Sequence, residues 1–197
     1  MRKIGITGGI GSGKTTACRV FEILGIPIYD ADTRAKSIMI TDLSVKSKIK
    51  SLLGSEAYHK NGKINKDHVS AKIFNNKQLL KEINDIVHPA VLSDSLRWIE
   101  EHKKEKDVPY IIKEAALLIE TGSYKSLDKL IVVTCPEEIR IKRVMKRDGL
   151  SYEAVKRKID NQLPEEEKIR YADYIINNDD TQSVIHQVWY IHQQLTK

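Results

Sequence analysis

The sequence predicts an α/β fold in which a parallel sheet of about five strands is covered by helices. Two observations support this prediction. Short apolar runs alternate with helix-spaced patterns along the 197 residues, and the first run leads directly into a glycine-rich turn and a helix. Hydrophobic residues make up 41% of the chain and charged residues 30%, a composition typical of globular proteins and unlike that of disordered or fibrous ones.

The predicted strands are short, mainly apolar segments. They cover residues 3–7, 26–29, 110–113, 129–133 and 174–176. Apolar residues recur at helical spacing from Ala17 to Leu24, which predicts the first helix, and Gly25 marks its end. Strand, glycine turn and helix therefore follow one another at the start of the chain.

A long, mostly helical stretch, residues 33–106, separates the second and third predicted strands and is longer than a crossover requires. We interpret it as a lobe inserted into a single domain, residues 1–197. His88-Pro89 interrupts a helical pattern within this lobe, because a proline disfavours helix at the preceding residue and removes a backbone donor. The helical spacing resumes at Leu92.

The C-terminal third carries a predicted lid and a final helix. Pro136 opens a basic helix, Ser151 caps a second helix and Pro164 ends it, so residues 136–164 form the predicted lid. Thr181 is expected to cap the C-terminal helix.

The glycine turn has the sequence GGIGSGKTT from Gly8 to Thr16, and it fits the phosphate-loop pattern G-x-x-x-x-G-K-[ST] at every fixed position. Glycines leave room for the backbone to wrap a phosphate with its N–H groups, and the helix N-terminus adds to the attraction. Lys14 would reach the outer phosphates, and the Thr15 hydroxyl would bind Mg²⁺. ATP or GTP is the expected ligand.

Acidic residues are predicted at the carboxyl edge of the sheet, where open α/β folds bind ligands. Asp30 and Asp32 follow the second strand, and either could accept a hydroxyl proton, hold Mg²⁺ through water or cap the next helix. Glu114 ends the third strand, at the usual place of the second acidic nucleotide motif or as an ordinary strand-end carboxylate.

Basic residues cluster in the predicted lid. Arg140, Arg143 and Arg147 are spaced three and four apart and therefore share one helical face. Such a run is often only a solvated surface, but beside a triphosphate site it favours a mobile lid whose guanidinium groups stabilise the transferring phosphoryl group.

Net charge, cysteine positions and the length of apolar runs limit the partners and the cellular compartment that we expect. Lysine and arginine exceed aspartate and glutamate by 33 to 27, a net charge of +6 that suits polyanionic ligands. Cys18 and Cys135 are far apart, which indicates neither a disulfide framework nor a zinc site. No apolar run approaches membrane-spanning length and no signal-peptide core follows Met1, so we expect a cytoplasmic protein without a membrane partner.

Several nucleotide-dependent functions share these features. A nucleoside or nucleotide kinase would also have a glycine loop, an inserted lobe and a lid. A GTP-dependent switch is disfavoured because Asn65-Lys66-Asp67-His68 lacks the spacing of a guanine-reading motif and follows no predicted strand. A nucleic-acid-bound ATPase is disfavoured because aromatic residues are only 6% of the chain and its basic residues concentrate in the lid.

Beyond these patterns, the chain resembles the dephospho-CoA kinase family from Met1 to about Asn178. The resemblance rests on TGGIGSGKTT, Asp30-Ala31-Asp32, His88-Pro89, Leu117-Leu118-x-Glu120, Arg143 with Arg147-Asp148, Gln162, and Ala172-Asp173-Tyr174 with Asn178. It implies a P-loop kinase fold and transfer of the ATP γ-phosphoryl group to the ribose 3′-hydroxyl of dephospho-CoA, the last step of coenzyme A synthesis.

The resemblance also implies roles for individual residues. Asp32 would be the general base, Arg143 and Arg147 would be lid arginines, and Asn178 would lie at the adenine. His88 and Lys36 would belong to the acceptor site. ATP would bind the loop formed by Gly11, Ser12, Gly13, Lys14, Thr15 and Thr16. The implied partners are ATP, Mg²⁺ and dephospho-CoA, with no nucleic acid, and the chain is expected to be a monomer or a weak homo-oligomer.

Two positions depart from the family pattern. Glu114-Ala115-Ala116 stands where the family commonly has an aspartate and then a proline, which bears on how Mg²⁺ is positioned. Lys36 stands where an arginine is common, so the positive charge remains but the bidentate fork is lost.

Overall fold

The fold was analysed in a computed structural model that describes residues 1–73, 76–105 and 107–197. Its strands are β1 (Arg2–Thr7), β2 (Ile28–Asp30), β3 (Tyr110–Glu114), β4 (Lys129–Thr134) and β5 (Tyr174–Asn177). They form one parallel sheet in the order β2-β3-β1-β4-β5. The predicted five-stranded parallel sheet is confirmed. The second strand begins two residues later than the predicted start at Ile26.

Helices account for most of the rest of the described chain. They are α1 (Lys14–Ile23), α2 (Ala31–Thr41), α3 (Leu43–Leu53), α4 (Lys66–Ile73), α5 (Lys77–His102), α6 (Glu137–Asp148), α7 (Tyr152–Asp160), α8 (Glu165–Ile169) and α9 (Val184–Leu195). Short 3₁₀ turns cover Ser55–Ala57 and Ser123–Ser126. Among the helices of the described ranges, none is both long enough and apolar enough to cross a membrane.

The described chain divides into two compact units. The sheet unit comprises Met1–Asp30 and Glu101–Lys197, and the helical unit comprises Ala31–Glu100. The predicted inserted lobe, residues 33–106, includes residues 74, 75 and 106, which lie outside the described residues.

The core of the sheet unit explains why apolar residues follow one another in the middle of the central strands. Ile4 and Ile6 of β1 are fully buried, and Gly5 between them is also buried, because helices cover both faces of the sheet. One face packs against α1 and α9, including Phe21 and Val188. The other face packs against the segment that follows β3.

The helical unit has its own apolar core. Val45, Ile49 and Leu53 of α3 pack against Ile83 and Val87 of α5. The four-residue spacing of these side chains places them on one face of each helix.

The predicted interruption at His88-Pro89 is wrong. Helix α5 continues through Pro89 as a single element of 26 residues. Proline removes one backbone donor, but apolar residues on both sides of it, from Ile83 to Val91, contribute to the same core cluster. Packing of this continuous apolar face therefore outweighs the lost hydrogen bond.

The helix ends show a second correction. Ser151 caps α7 through the amide of Ala154, as predicted. Thr181, however, does not cap α9, because its hydroxyl and its amide both donate to Asp179. Ser183 provides the cap instead and accepts from the amide of His186.

Candidate functional site

The glycine loop lies where the sequence predicts, between the buried end of β1 and the first turn of α1. Gly11 and Gly13 have φ angles of 80° and 91°, a left-handed conformation that strains any residue with a side chain. Gly13 precedes α1, and its carbonyl accepts from the amides of Thr16 and Ala17 at 3.0 and 3.2 Å. The first N–H groups of a helix have no acceptor within it, so the loop brings anion-binding donors together.

Side chains from outside the loop hold it in place. The Ile10 amide donates to Gln162 Oε1 at 2.8 Å, and Asn178 Nδ2 donates to the Ser12 carbonyl at 2.8 Å. A Cβ atom added to Gly13 would overlap the Asn178 amide nitrogen, so that glycine is also needed for space. The loop is therefore fixed by contacts with residues more than 150 positions away along the chain.

Lys14 and Thr15 occupy the first turn of α1. Lys14 Nζ donates to the Gly8 carbonyl at 3.1 Å, which keeps the ammonium group within the loop. The Thr15 side chain is exposed. These positions agree with what a phosphate loop requires of its lysine and its hydroxyl residue.

Two acidic residues meet at the carboxyl edge of the sheet. Asp30 at the end of β2 is the register partner of Glu114 at the end of β3, and Glu114 is also paired with Ile6 of β1. Glu114 is only 8% exposed. Burial, followed by the charge of Glu114, raises the pKa of the Cys18 thiol, which keeps Cys18 neutral beside this carboxylate.

No set of three histidine, cysteine, aspartate or glutamate side chains in the described ranges could hold a metal ion by itself. Mg²⁺ does not need such a cluster, because it usually keeps several waters and binds through one or two protein oxygens and substrate phosphates. The exposed Thr15 hydroxyl and the Glu114 carboxylate at the sheet edge are the kinds of ligand that such a shared site requires.

The two predicted lid arginines have different surroundings. Arg143 Nη1 donates to the Asn178 carbonyl at 3.0 Å, and its Nη2 donates to both carboxylate oxygens of Asp180 at 3.0 and 3.1 Å. Asp180 has a φ of 67°, an uncommon conformation for a residue other than glycine. Arg147 instead pairs with its neighbour Asp148 and remains 63% exposed.

Sequence analysis placed Arg140 in the basic run of the lid but gave it no individual role in the site. The residue is 6% exposed as a whole, and its side chain lies against Gly9 of the loop. The pattern contained a signal for its burial, because Arg140 lies four positions before Val144, which belongs to the apolar cluster of α6 and α7.

Sequence analysis also missed a buried ion pair between Lys168 and Glu120, a residue of the segment that follows β3. Lys168 is 1% exposed and contacts Glu120 at 2.9 Å. Burial alone would raise the pKa of Glu120, but hydrogen bonds from Lys168 and from backbone amides, including that of Leu163, lower it overall. Leu163 directly follows Gln162, so the segment that binds the Ile10 amide is itself anchored by this pair.

The remaining predicted residues belong to the helical unit. Asp32 lies in the first turn of α2 with an exposed side chain, and Lys36 lies one turn later, also exposed. His88 is exposed near the middle of α5.

A pair of arginines in the helical unit was not anticipated. Arg34 donates twice to Asp94, with both distances 2.7 Å, and Arg97 donates to the same carboxylate at 2.7 Å. Asp94 is 6% exposed, and its position seven residues after Val87 places it on the apolar face of α5. An acidic residue on the apolar face of a helix was the sequence signal for this buried pair. The bidentate pair ties α2 to α5 and so fixes the helix that carries Asp32 and Lys36.

Comparisons with known proteins agree with this arrangement. The family profile described as dephospho-CoA kinase matches residues 2–183. The chain is 38% identical over 189 residues to the dephospho-CoA kinase of Porphyromonas gingivalis, which covers 95% of this chain and 91% of that protein.

Solved structures show the same relationship in three dimensions. The dephospho-CoA kinase from Campylobacter jejuni superposes with a TM-score of 0.64 at 28% identity and covers 98% of this chain and 97% of its own. A crystal structure from Thermus thermophilus has a TM-score of 0.84 at 28% identity, covering 100% and 98% of the two chains. With the glycine loop, the sheet order and these matches together, the chain belongs to the dephospho-CoA kinase family.

Proposed function

We propose that this protein transfers the γ-phosphoryl group of ATP to the ribose 3′-hydroxyl of dephospho-CoA, producing coenzyme A and ADP. The observation that carries the proposal is the glycine loop, which is held open at the end of β1 by Gln162 and Asn178 in a chain that belongs to this family. An ATP-dependent kinase needs such a loop because its substrate carries three phosphates that must be bound in one orientation.

The ATP site in this proposal is the loop from Gly11 to Thr16. The loop amides and the start of α1 bind the phosphate oxygens, and Lys14 moves its ammonium group from the Gly8 carbonyl to the outer phosphates. Asn178 supports the loop at Ser12 and lies beside the adenine.

Thr15 would bind Mg²⁺ directly and Glu114 would bind it through water, as expected for an ion that keeps part of its hydration shell. When bound, Mg²⁺ neutralises charge that develops on the phosphate oxygens.

The acceptor site in this proposal lies in the helical unit. Asp32 accepts the proton of the ribose hydroxyl as its oxygen attacks the γ-phosphorus, since a carboxylate held in hydrogen-bond reach can serve as general base. Lys36 and His88 bind the acceptor. The exposed side chains of all three residues leave their polar groups available for substrate.

Arg143 and Arg147 are assigned to the transferring phosphoryl group, as part of a lid at residues 136–164. Guanidinium groups suit this role because they bind phosphate oxygens through two parallel hydrogen bonds. Arg143 would exchange its contacts with Asp180 for phosphate oxygens when ATP is present. The helical lobe, residues 33–106, would carry the acceptor. We further propose a cytoplasmic monomer or weak homo-oligomer that binds no nucleic acid.

A coupled assay of ADP release tests the proposed reaction. The protein is supplied with ATP and Mg²⁺, together with dephospho-CoA, adenosine, AMP or no acceptor. Release that depends on dephospho-CoA, with coenzyme A confirmed as product, is the expected result. Preference for AMP or adenosine would instead indicate a nucleotide or nucleoside kinase, and release without an acceptor would indicate an ATPase.

The Asp32→Asn variant tests the role of the proposed base. We expect turnover to fall by about a hundredfold or more, because the amide cannot accept the proton, while ATP binding stays within about twofold of the original. Asp67→Asn is a matched control, since Asp67 is also an exposed aspartate in the first turn of a helix of the same unit. Equal turnover in the two variants would remove Asp32 from the base role.

A further inference from the structure

Arg140 carries a buried charge that the proposed reaction does not use. Its side chain is 8% exposed, and its Nη2 atom is 3.8 Å from Glu137 Oε2. Glu137 also binds Lys156 at 2.7 Å, so its charge is shared. The Arg140 Nε atom is buried and has no hydrogen-bond acceptor within the described chain. A buried guanidinium that is only partly compensated costs stability, and a protein keeps such a group where it serves another purpose.

The position of Arg140 suggests what that purpose is. Its guanidinium lies beside Gly9, and its backbone carbonyl lies so close to Gly11 that a Cβ atom on Gly11 would be 2.7 Å from the carbonyl oxygen. Arg140 therefore contacts the glycine loop through its side chain and through its backbone. Val144 of the same helix also lies against Gly11, since its Cγ2 atom would be 2.9 Å from a Cβ atom there.

Gly9 shows that the side-chain contact is specific. Gly9 is absent from the glycines of the described chain that have a positive φ, so its backbone conformation does not require glycine. A Cβ atom there would overlap Arg140 Nη1 and lie 3.0 Å from Cζ, whereas the next nearest atom, Gln162 Oε1, would be 3.7 Å away in ordinary contact. The guanidinium of Arg140 is thus the group that a side chain at position 9 would have to displace.

Each of the two carboxylates near Arg140 also has another partner, Lys156 for Glu137 and the Cys135 amide for Glu165. Glu165 interacts with the Arg140 charge, but its Oε2 atom also accepts from the Cys135 amide at 3.2 Å. Burial raises the pKa of Glu165. Positive potential from the guanidinium therefore extends to the loop, where an anionic ligand would benefit from it.

We propose that Arg140 is a positioning residue for the nucleotide. It packs against the Gly9–Gly11 segment and adds a buried positive charge next to the bound phosphates. This inference rests on the proposed function in one respect, namely that the glycine loop binds the phosphates of ATP. Arg140 is not expected to contact the reacting atoms. It acts through the loop.

A double-mutant cycle tests the proposal. The four proteins are the original chain, Gly9→Ala, Arg140→Ala and the double variant, and MgATP affinity is measured by calorimetry without any acceptor. We expect Gly9→Ala to weaken affinity by at least about tenfold in the original chain but by less than about threefold when Arg140 is alanine, because residues in contact are coupled. Should Arg140→Ala fail to fold, Arg140→Gln replaces it in the cycle.

Two further variants separate the charge from the packing. Arg140→Lys keeps the positive charge and should retain more affinity than Arg140→Met, which keeps the length of the side chain without the charge. Lys142→Ala removes an exposed positive charge from the same helix and should leave affinity unchanged. Thermal unfolding of every variant shows whether stability alone has changed.

The outcomes distinguish this inference from the proposed function. If Gly9→Ala weakens affinity equally in both backgrounds, or if Arg140→Ala lowers the melting temperature without changing affinity, Arg140 is not a positioning residue. Since no acceptor is present, a protein that binds MgATP but fails to phosphorylate dephospho-CoA leaves this result intact. An original chain that binds no MgATP would overturn both.

Discussion

At the scale of single residues, Asn178 connects two parts of the nucleotide site. Its amide nitrogen donates to the Thr134 carbonyl at 2.9 Å at the end of the sheet, and its side chain donates to the Ser12 carbonyl at 2.8 Å in the loop. The side chain also occupies the space beside Gly13. Asn178 therefore links the ends of β4 and β5 to the loop.

Asn178→Ala should therefore weaken ATP binding by about fivefold, the equivalent of about 1 kcal/mol for one lost hydrogen bond. Binding of inorganic tripolyphosphate should weaken by a similar factor, because the effect acts through the loop and not through the adenine. Both affinities are measured by calorimetry. Asn161→Ala, at the exposed end of α7, is the control and should change neither affinity. A loss confined to ATP would show that Asn178 acts on the base alone.

At the scale of elements, α5 contains a proline within a continuous helix. Pro89 is exposed and cannot donate to the carbonyl four residues earlier, so the helix carries a defect that packing of its apolar face outweighs. Pro89 destabilises the helix and lies next to His88, which we assign to the acceptor site. Functional sites retain such locally unfavourable residues.

Replacement of Pro89 by alanine should raise the free energy of unfolding by up to about 3 kcal/mol, since the helix regains a donor and loses a steric clash. Urea denaturation provides the measurement, with an unchanged slope as the sign that the native state is the one affected. Pro164→Ala is the control, because Pro164 lies at the N-cap of α8, where proline is well tolerated. A less stable Pro89→Ala protein would show that the proline favours the native helix.

At the scale of the whole molecule, the C-terminal helix closes one face of the sheet. Helix α9 packs Val188, Ile191 and Leu195 into the main core cluster. It also joins β3 by a hydrogen bond of 2.7 Å between His192 Nδ1 and the hydroxyl of the fully buried Tyr110. Burial lowers the pKa of His192, so the folded protein favours the neutral ring.

This shift predicts a dependence of stability on pH. The unfolded chain takes up the His192 proton near its ordinary pKa of about 6.5, and the folded chain does so only at lower pH, so stability is complete above about pH 6.5 and declines as the pH falls. The melting temperature should drop more between about pH 7.5 and 5.5 in the original protein than in His192→Gln. His186→Gln removes an exposed histidine from the same helix and should keep the original slope. Identical slopes in all three proteins would contradict the prediction.

The sequence by itself determined the features that depend on spacing along the chain. The glycine loop between β1 and α1, the five strands and the Ser151 cap follow from patterns within a few residues, because turns, caps and amphipathic faces are set by local backbone geometry. The same local information placed Asp30 at the end of the second strand and Glu114 at the end of the third, while the strand order that pairs them came from the structure.

Only the tertiary structure decided which distant residues meet. The burial of Arg140 against Gly9, the support of Ser12 by Asn178 and the pairing of Arg34 with Asp94 join residues between 60 and 166 positions apart, and no periodicity records such contacts. Pro89 illustrates the same limit, because local propensity predicted a break there and packing of the surrounding helix overrode it. Local patterns thus fixed where the site begins, and long-range packing fixed how its loop is held.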